Sequence, residues 1–283
     1  MIIQDQRNSP SFIYHYCSME SFSKIIENRE IWVTPAVKMN DITEGSWITA
    51  LLRRYAQENL SSTQKDLDFA NAILEFIAIN SYPLYMTCFS QNKDLLSQWR
   101  GYADAGKGIS IGFKLNSFSI PIIDNNWISK FRHGKYYLCK VQYVDYNYIY
   151  PSIDDIFKRY KHTIDNLHNI AIQFINMRSI LKNDSFSEEQ EWRLAIEPQF
   201  FRKNDAHVWV SQIIPLENIK TRVTTKGLSK YLSYPILGEN QPQIEEVVLG
   251  PLNQTTDEDL SFFLYKNKLP FVKIKRSRST FCG

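Results

Sequence analysis

Strand-like and helical segments follow one another irregularly along this chain, and this irregularity limits the folds open to it. Apolar runs typical of strands lie at Phe12–Cys17, Glu30–Thr34, Leu84–Ser90, Ile109–Phe113, Tyr136–Val144, Glu191–Ile196, Val208–Ile214, Glu246–Leu249 and Phe271–Lys275. They do not follow the regular strand–helix–strand order that builds parallel sheets. The pattern predicts a single α+β domain over residues 1–283, with a mainly antiparallel sheet flanked by helices.

Helical periodicity concentrates in two stretches, which we predict to be helical insertions at about residues 40–80 and 151–182. In the second stretch, apolar residues recur at helical spacing from Ser152 to Lys182, as on one face of a long helix. The first stretch begins with Asn40–Glu44 (NDITE), a polar run typical of a helix cap. Three shorter helices are also predicted. One begins after Ser18, which would cap it, and the others lie at Asp94–Tyr102 and near Thr256–Asn267.

Composition excludes several classes of protein. Apolar residues make up 43% of the chain and charged residues 22%, which excludes a disordered or fibrous chain. No apolar run reaches transmembrane length, and MIIQDQRNSP lacks the pattern of a secretion signal. The cysteines (Cys17, Cys88, Cys139 and Cys282) are widely spaced and form no zinc-binding pair. We therefore expect a reduced, cytoplasmic protein with inert thiols and no membrane partner.

Positive charge is concentrated near the end of the sequence. The net charge of the chain is +3, yet Lys266–Arg278 contains six basic residues and no acidic one. A basic patch of this kind attracts polyanions, so a nucleic acid is a candidate partner. The alternative is a solvated last strand with charged neighbours.

Leu95–Phe113 (LLSQWRGYADAGKGISIGF) is the first segment with unusual chemistry. It contains four of the ten glycines, and glycine lets the backbone approach a ligand closely. Trp99 and Tyr102 share one face of the predicted helix, and Lys107 lies in the glycine loop. An aromatic face beside a basic loop suits a flat ring that carries a phosphate. The alternative is an ordinary helix–turn–strand unit with Trp99 in the core.

Glu188–Ile196 (EEQEWRLAI) is the second such segment. If it is a strand, Glu189, Glu191 and Arg193 point to one side and the apolar residues to the other. Carboxylates held close together raise one pKa, which suits general acid or base chemistry. The alternative is an exposed face with an Arg–Glu pair.

A histidine on the first predicted strand is the third candidate. His15 lies between Tyr14 and Tyr16, so its ring faces away from both tyrosines if the segment is a strand. The alternative is a structural histidine, whose ring makes a hydrogen bond that supports the fold and takes no part in catalysis. No Ser–His–Asp arrangement is predicted to accompany it.

Taken together, these segments resemble a bacterial family known as domain of unknown function 2971. The resemblance is carried by Tyr14–Ser18, Asn40–Gly45, Cys88–Ser90, Leu96–Phe113, Glu189–Arg193 and Val247–Pro251. The blocks W-x-x-Y-A-D…G-x-x-I-G-F and E-x-E-W-R are the most specific. Val208–Gln243 fits the family pattern poorly, and we place no functional residue there.

The order of these blocks also resembles the ADP-ribosyltransferase superfamily, with a histidine on the first strand, a tyrosine in the middle and a glutamate on a late strand. This resemblance implies a split antiparallel sheet that grips NAD in a cleft. The catalytic residues that it implies are His15, Tyr102 and Glu191, with Glu189 as the alternative acid. The NAD-binding residues that it implies are His15, Tyr16, Trp99, Arg100, Tyr102, Lys107 and Arg193.

The resemblance also implies a role for each residue. Glu191 would stabilise the positive charge on ribose as nicotinamide leaves, and Arg193 would order the glutamates. His15 would donate a hydrogen bond to a ribose hydroxyl. The rings of Tyr102 and Trp99 would stack on nicotinamide, and the pyrophosphate would meet Lys107 or Arg100.

We therefore predict an NAD-dependent ADP-ribosyltransferase-like enzyme, or an NAD glycohydrolase, that needs no metal. Its acceptor would be a protein or a nucleic acid, and by analogy it would act as a toxin or a phage-defence effector. A second interpretation is a non-catalytic module that senses a nucleotide or a nucleic acid. A third is a metal-dependent nuclease built on Glu188, Glu189 and Glu191.

Overall fold

The computed structural model describes residues 9–39, 46–60, 64–80, 83–123, 135–159, 164–197, 200–203, 209–211, 218–224 and 227–280. The strands are β1 (Phe12–Cys17), β2 (Glu30–Pro35), β3 (Tyr85–Ser90), β4 (Ile109–Lys114), β5 (Ile122–Ile123), β6 (Tyr137–Lys140), β7 (Gln142–Val144), β8 (Leu181–Asn183), β9 (Glu191–Ile196), β10 (Phe200–Lys203), β11 (Trp209–Ser211), β12 (Ile219–Thr224), β13 (Gly227–Pro235), β14 (Ile244–Leu249) and β15 (Lys273–Arg276). The helices are α1 (Met19–Asn28), α2 (Trp47–Asn59), α3 (Gln64–Asn80), α4 (Leu96–Tyr102), α5 (Tyr146–Arg159), α6 (Ile164–Met177) and α7 (Asp257–Lys266).

An 11-stranded sheet is the frame on which the helices pack. Its strand order is β12-β13-β2-β3-β1-β4-β14-β15, and β9, β6 and β5 continue from the other edge of β3. Most neighbours in this sheet pair antiparallel, while β14 with β15 and β5 with β6 pair parallel. The predicted α+β class and the mainly antiparallel sheet are confirmed.

The sheet splits at β3. Along one edge, all six residues of β3 pair with β9. Along the other edge, β1 pairs with β3 only at Ser90, opposite Tyr14, and β2 pairs only with Tyr85–Met86. On that edge Thr87–Phe89 have no strand partner among the described residues, because β1 and β2 diverge there.

Two side chains replace backbone hydrogen bonds at the split. The Nδ1 atom of His15 lies 3.0 Å from the carbonyl oxygen of Cys88. The hydroxyl of Thr87 donates to the carbonyl of Trp32 on β2. Since buried backbone groups are costly to leave unpaired, these two bonds stabilise the gap without closing it.

Local signals determine how the chain leaves β1. The hydroxyl of Ser18 accepts a hydrogen bond from the backbone N–H of Ser21, which is the predicted cap of α1. Phe22, Ile25 and Ile26 are buried on one side of α1. Arg29 then adopts a left-handed conformation with φ of 53° and ends the helix before β2.

Helices cover both faces of the sheet. On one face, α1 and α7 pack on apolar residues such as Trp192 and Leu194 of β9 and Val247 of β14. On the other face, α2, α3, α5 and α6 pack on residues such as Ala195 and Met86. α2, α3 and α6 lie within the two predicted insertions, whereas α5 begins at Tyr146, before the second one. No helix in the described part of the chain has both the length and the apolarity needed to span a membrane.

Two predicted elements differ from the structure. The predicted helix Ser152–Lys182 consists of α5, α6 and β8, and residues 160–163 lie outside the described residues. Both helices contribute to one apolar cluster, so the periodicity does not show where the first of them ends.

The predicted strand Tyr136–Val144 divides at Val141, whose N–H donates to the carbonyl of Glu191. Its halves, β6 and β7, belong to different sheets.

Other differences concern the stretches in which the sequence signal is weak. β12 and β13 lie within Val208–Gln243, where only Val208–Ile214 was predicted as a strand. Of that predicted strand, the described residues contain β11. The predicted cap Asn40–Glu44 lies outside the described residues, and α2 begins at Trp47, after Ser46.

Candidate functional site

A cavity of about 240 Å³ occupies the split in the sheet. It is lined by His15–Cys17 of β1, by Trp32 and Thr34 of β2 and by Met86–Phe89 of β3. Successive side chains of a strand point to opposite faces, so a lining made of successive residues of β1 and β3 passes through the sheet. The cavity is therefore a consequence of the divergence of β1 from β2.

Tyr102, Glu189, Glu191 and Arg222 complete the part of the lining that carries chemistry. Three of these residues and His15 were predicted as catalytic, and the structure brings all four predicted residues to one cavity. Arg222 comes from β12, inside the stretch in which we expected no functional residue.

Lys182 of β8 joins the two predicted glutamates. Its Nζ atom lies 2.7 Å from Oε2 of Glu189 and 3.0 Å from Oε2 of Glu191. Arg193 binds Glu191 as well, with Nε 2.9 Å from Oε1 and Nη2 3.2 Å from Oε2. We call these four residues the four-charge cluster, because two acids and two bases balance one another in it.

The glutamates reach the four-charge cluster by different routes. Glu191 and Arg193 lie on one face of β9, as predicted, and both are buried. The alternative of an exposed Arg–Glu pair is therefore wrong. Glu189 does not share their strand face, because it ends the 3-10 turn Asp184–Glu189 and Gln190 follows in a left-handed conformation with φ of 44°. Lys182 is what brings the two carboxylates together.

The two carboxylates differ in exposure and in charge environment. The side chain of Glu189 is 11% exposed and that of Glu191 4%. Burial alone would raise the pKa of Glu191, but the charges of Arg193 and Lys182 outweigh it and hold that pKa at about 2. The carboxylate of Glu191 is committed to the two bases, so Glu189 is better placed to contact a ligand.

His15 is held as a neutral ring. Burial lowers the pKa of His15 and the charge of Arg222 lowers it further, against the opposing effect of the bond to Cys88. The Cys88 carbonyl requires a donor, which assigns the proton to Nδ1 and leaves Nε2 as an acceptor. The predicted role of His15 needs correction, since in this tautomer Nε2 accepts from a hydroxyl and does not donate to it.

The two tyrosines predicted for the site differ in their contacts. Tyr102 is 38% exposed, and its hydroxyl donates to Oε1 of Glu189 at 3.2 Å. Burial raises the pKa of Tyr102, so the hydroxyl remains a donor at neutral pH. The hydroxyl of Tyr16 donates to the Asn92 carbonyl at 2.7 Å and accepts from the Leu95 N–H at 3.0 Å. Tyr16 borders the cavity, but its hydroxyl is occupied by these bonds to Asn92 and Leu95, the segment that precedes α4.

Four predicted NAD contacts do not line the cavity. Trp99 is fully buried and its Nε1 donates to Asp94, so the alternative of a core tryptophan is the one observed. Arg100 borders a shallow depression on the outer side of α4, and Lys107 is exposed in the loop. Arg193 is fully buried behind Glu191 and binds that carboxylate, whereas Glu189, which it was also predicted to order, is bound by Lys182.

The glycine loop also differs from its predicted role. A Cβ atom at Gly108 would collide with the carbonyl of Cys17, and one at Gly250 would collide with the carbonyl of Gly106. The N–H of Gly250 donates to the carbonyl of Gly108 at 3.0 Å. These glycines allow backbone segments to approach one another, and the loop does not form part of the cavity wall.

Sequence reasoning missed Lys182 and Arg222. Lys182 was placed at the end of a long predicted helix, although the structure has it on β8. The only available signal was that paired buried acids need basic partners. For Arg222, the signal was the alternation of Ile219–Thr224 (IKTRVT), which is typical of a strand.

The basic stretch Lys266–Arg278 is partly neutralised by neighbouring acids. Lys275 binds Glu246, and Arg276 binds Asp257 at 2.7 Å. Lys266, Lys268 and Lys273 are exposed and form no ion pair with another described residue. Phe271, which lies among them, is 92% exposed. An exposed aromatic ring beside unpaired lysines remains on this edge of the sheet.

Comparison with known proteins gives one match. The model of a family described as a protein of unknown function (DUF2971) matches residues 98–194, which confirms the resemblance to that family. The matched residues include Tyr102 and the whole four-charge cluster. Neither a curated protein nor a solved structure matches the chain.

Proposed function

We propose that the chain, whose residues 98–194 match the model of the DUF2971 family of unknown function, is an NAD-dependent ADP-ribosyltransferase-like enzyme. One observation carries the proposal. His15 of the first strand lines the same cavity as Glu191, which begins the late strand β9, and Glu189, which lies just before that strand. That cavity lies in a split sheet, where a ligand can contact groups from both faces.

The size of the cavity decides which part of NAD it can enclose. Sites that bury a drug-sized ligand have volumes of roughly 300–1,000 Å³. A cavity of about 240 Å³ is smaller than that and suits one ring with its sugar. In this proposal the cavity takes the nicotinamide ribose half of NAD, and the adenylate half lies outside it.

Each lining group then has a role that its contacts permit. Glu189 faces the ribose and stabilises the charge that develops on it. Glu191 is a positioning residue, because it acts through Lys182 and Arg193. The exposed ring of Tyr102 stacks on nicotinamide, and Nε2 of His15 accepts from a ribose hydroxyl.

The reaction needs little proton transfer. The bond between nicotinamide and ribose breaks, and its electron pair stays on the ring nitrogen, which removes the positive charge of the pyridinium. The sugar carbon becomes electron-poor, as in glycoside hydrolysis, and Glu189 stabilises it. An oxygen of water or of the acceptor bonds to that carbon and loses its proton to solvent. Nicotinamide leaves neutral, so the leaving group needs no general acid.

A second candidate function is a non-catalytic module that senses a nucleotide. The charge balance of the four-charge cluster favours it, because a site that stabilises a cation profits from a net negative charge. We do not propose a nuclease, since two of the three carboxylates predicted for it, those of Glu189 and Glu191, are paired with Lys182 and Arg193. Within the described ranges, no group of three His, Cys, Asp or Glu residues could hold a metal ion.

The test is release of nicotinamide from labelled NAD by the full chain, with and without added protein or nucleic acid. We expect Glu189→Gln to reduce the rate about 100-fold or more. Glu188→Gln is the matched control, because Glu188 belongs to the same 3-10 turn but is exposed and lies outside the cavity lining. Saturable binding of NAD without release under any of these conditions would favour the sensor.

We also propose a nucleic acid as the acceptor. Lys266, Lys268 and Lys273 offer unpaired charge to phosphates, and Phe271 offers a ring on which a base can stack. β15 is the third strand from β1 in the sheet, which is roughly 14 Å at about 4.8 Å per strand. A strand of nucleic acid on this edge is therefore within reach of the cavity.

A further inference from the structure

Arg222 lines the cavity that Glu189 and Glu191 also line. It belongs to β12, which pairs with β13, and β13 pairs with β2. Its guanidinium carbon lies 4.5 Å from the ring centroid of Trp32 and 5.7 Å from that of Tyr231. Two aromatic rings thus hold the planar group in place beside the cavity.

The polar contacts of Arg222 are incomplete. Its Nε atom is buried and has no hydrogen-bond partner, and no acid in the described part of the chain forms an ion pair with it. Burial lowers the pKa of Arg222, as expected for a cation that has lost water without gaining an anion. Arg193, by contrast, is fully buried and is matched by Glu191 and by the carbonyl of Ser179.

We propose that Arg222 is an anion receptor that binds the phosphate of a nucleoside phosphate whose sugar lies against Glu189. A guanidinium forms two parallel hydrogen bonds with a phosphate, and its aromatic platform holds the plane needed for them. The neutral ring of His15, which lines the same cavity, carries no charge that competes for the anion. The assignment of the ring and sugar rests on the proposed function, whereas the anion site rests on Arg222 itself.

This proposal changes the predicted pyrophosphate contacts. Lys107 and Arg100 were predicted to meet the phosphates, but neither lines the cavity. Arg222 does line the cavity, and its strand β12 is joined through β13 to β2. The phosphate of the ligand is therefore expected near β2 and β12.

The test compares two ligands that differ by one phosphate. We expect the wild-type chain to bind nicotinamide mononucleotide at least about tenfold more tightly than nicotinamide riboside, as measured by calorimetry. In Arg222→Met that preference should disappear, while affinity for the riboside stays the same. Lys220→Met is the control, because Lys220 is on the same strand but its Nζ is paired with Glu30 at 2.6 Å.

The outcomes separate the two proposals. Tight binding of the mononucleotide by Arg222→Met would overturn the anion site and leave cleavage of NAD by the wild type untouched. Arg222-dependent binding of orthophosphate or pyrophosphate, with no affinity for the riboside and no cleavage of NAD, would support the anion site and overturn the proposed function. If Arg222→Met does not fold, Arg222→Lys replaces it. Because lysine keeps the charge without the planar fork, an unchanged phosphate preference in that variant would also overturn the proposal.

Discussion

Two arginines, one behind the cavity and one in its wall, are in opposite situations. Arg193 is fully buried and meets two carboxylate oxygens of Glu191 and the carbonyl of Ser179. Arg222 is half-buried, lies against two aromatic rings and meets no acid among the described residues. The comparison separates a charge that maintains the structure from a charge that is available to a ligand.

This difference shows that burial alone does not identify a functional charge. A buried ion pair with complete hydrogen bonding holds neighbouring groups in place, and breaking it leaves a charge uncompensated. A desolvated cation without an anion has the opposite property, since a ligand can supply what the protein does not. Charge balance, counted group by group, is therefore a better guide to this cavity than exposure is.

The largest expected effect on stability comes from breaking an ion pair in the four-charge cluster. Arg193→Met leaves Glu191 buried with Lys182 as its one remaining base in the cluster, and we expect the free energy of unfolding to fall by about 3–5 kcal/mol. Arg222→Met leaves no acid unpaired, so we expect a change below about 1 kcal/mol. Urea unfolding at pH 7 measures both. Equal losses in the two variants would contradict the comparison.

The pH dependence of stability tests whether Glu191 of the four-charge cluster is held by its two bases. The pKa of Glu191 in the folded chain, about 2, lies below its ordinary value of 4.5. The ionised carboxylate therefore stabilises the fold fully above about pH 4.5, and this contribution is lost as the pH falls toward 2. We expect it to be on the order of 3 kcal/mol.

Urea unfolding over that acidic range measures the slope of stability against pH. Glu191→Gln should flatten the slope, because the substituted group no longer titrates. Glu188→Gln, which changes an exposed neighbour, should keep the wild-type slope. A wild-type slope in Glu191→Gln would mean that this carboxylate is not held by Arg193 and Lys182.

The smallest expected effect concerns unpaired charges outside the cavity. Replacing Lys266, Lys268 and Lys273 by alanine should weaken binding of a single-stranded nucleic acid. If all three lysines contact phosphates, the plot of log affinity against log salt should lose a slope of about 2. Fluorescence anisotropy at several salt concentrations measures this slope. Lys24, Lys65 and Lys158, changed together, provide a control of equal charge on three helices.

The predictions from sequence that succeeded rest on local causes. The cap at Ser18, the strand Phe12–Cys17 and the helix that follows Thr256 depend on residues within one turn of each other, and all three are confirmed. The shared face of Glu191 and Arg193 also follows from strand geometry alone. Trp99 shows the limit, because helical spacing places it beside Tyr102 but does not decide which of the two rings the core buries.

The sequence by itself determined the class of the fold and most of its helices and strands, showed the likeness of its middle segment to a family model, and selected His15, Tyr102, Glu189 and Glu191 as candidate site residues. These depend on periodicity, capping and short motifs, which act over a few residues. Only the tertiary structure decided where the sheet splits, because β1 and β2 contact different ends of a strand more than 60 residues away from β1. That pairing brings His15 to the carbonyl of Cys88 and Arg222 to the same cavity, and no local pattern encodes contacts between segments so distant in the chain.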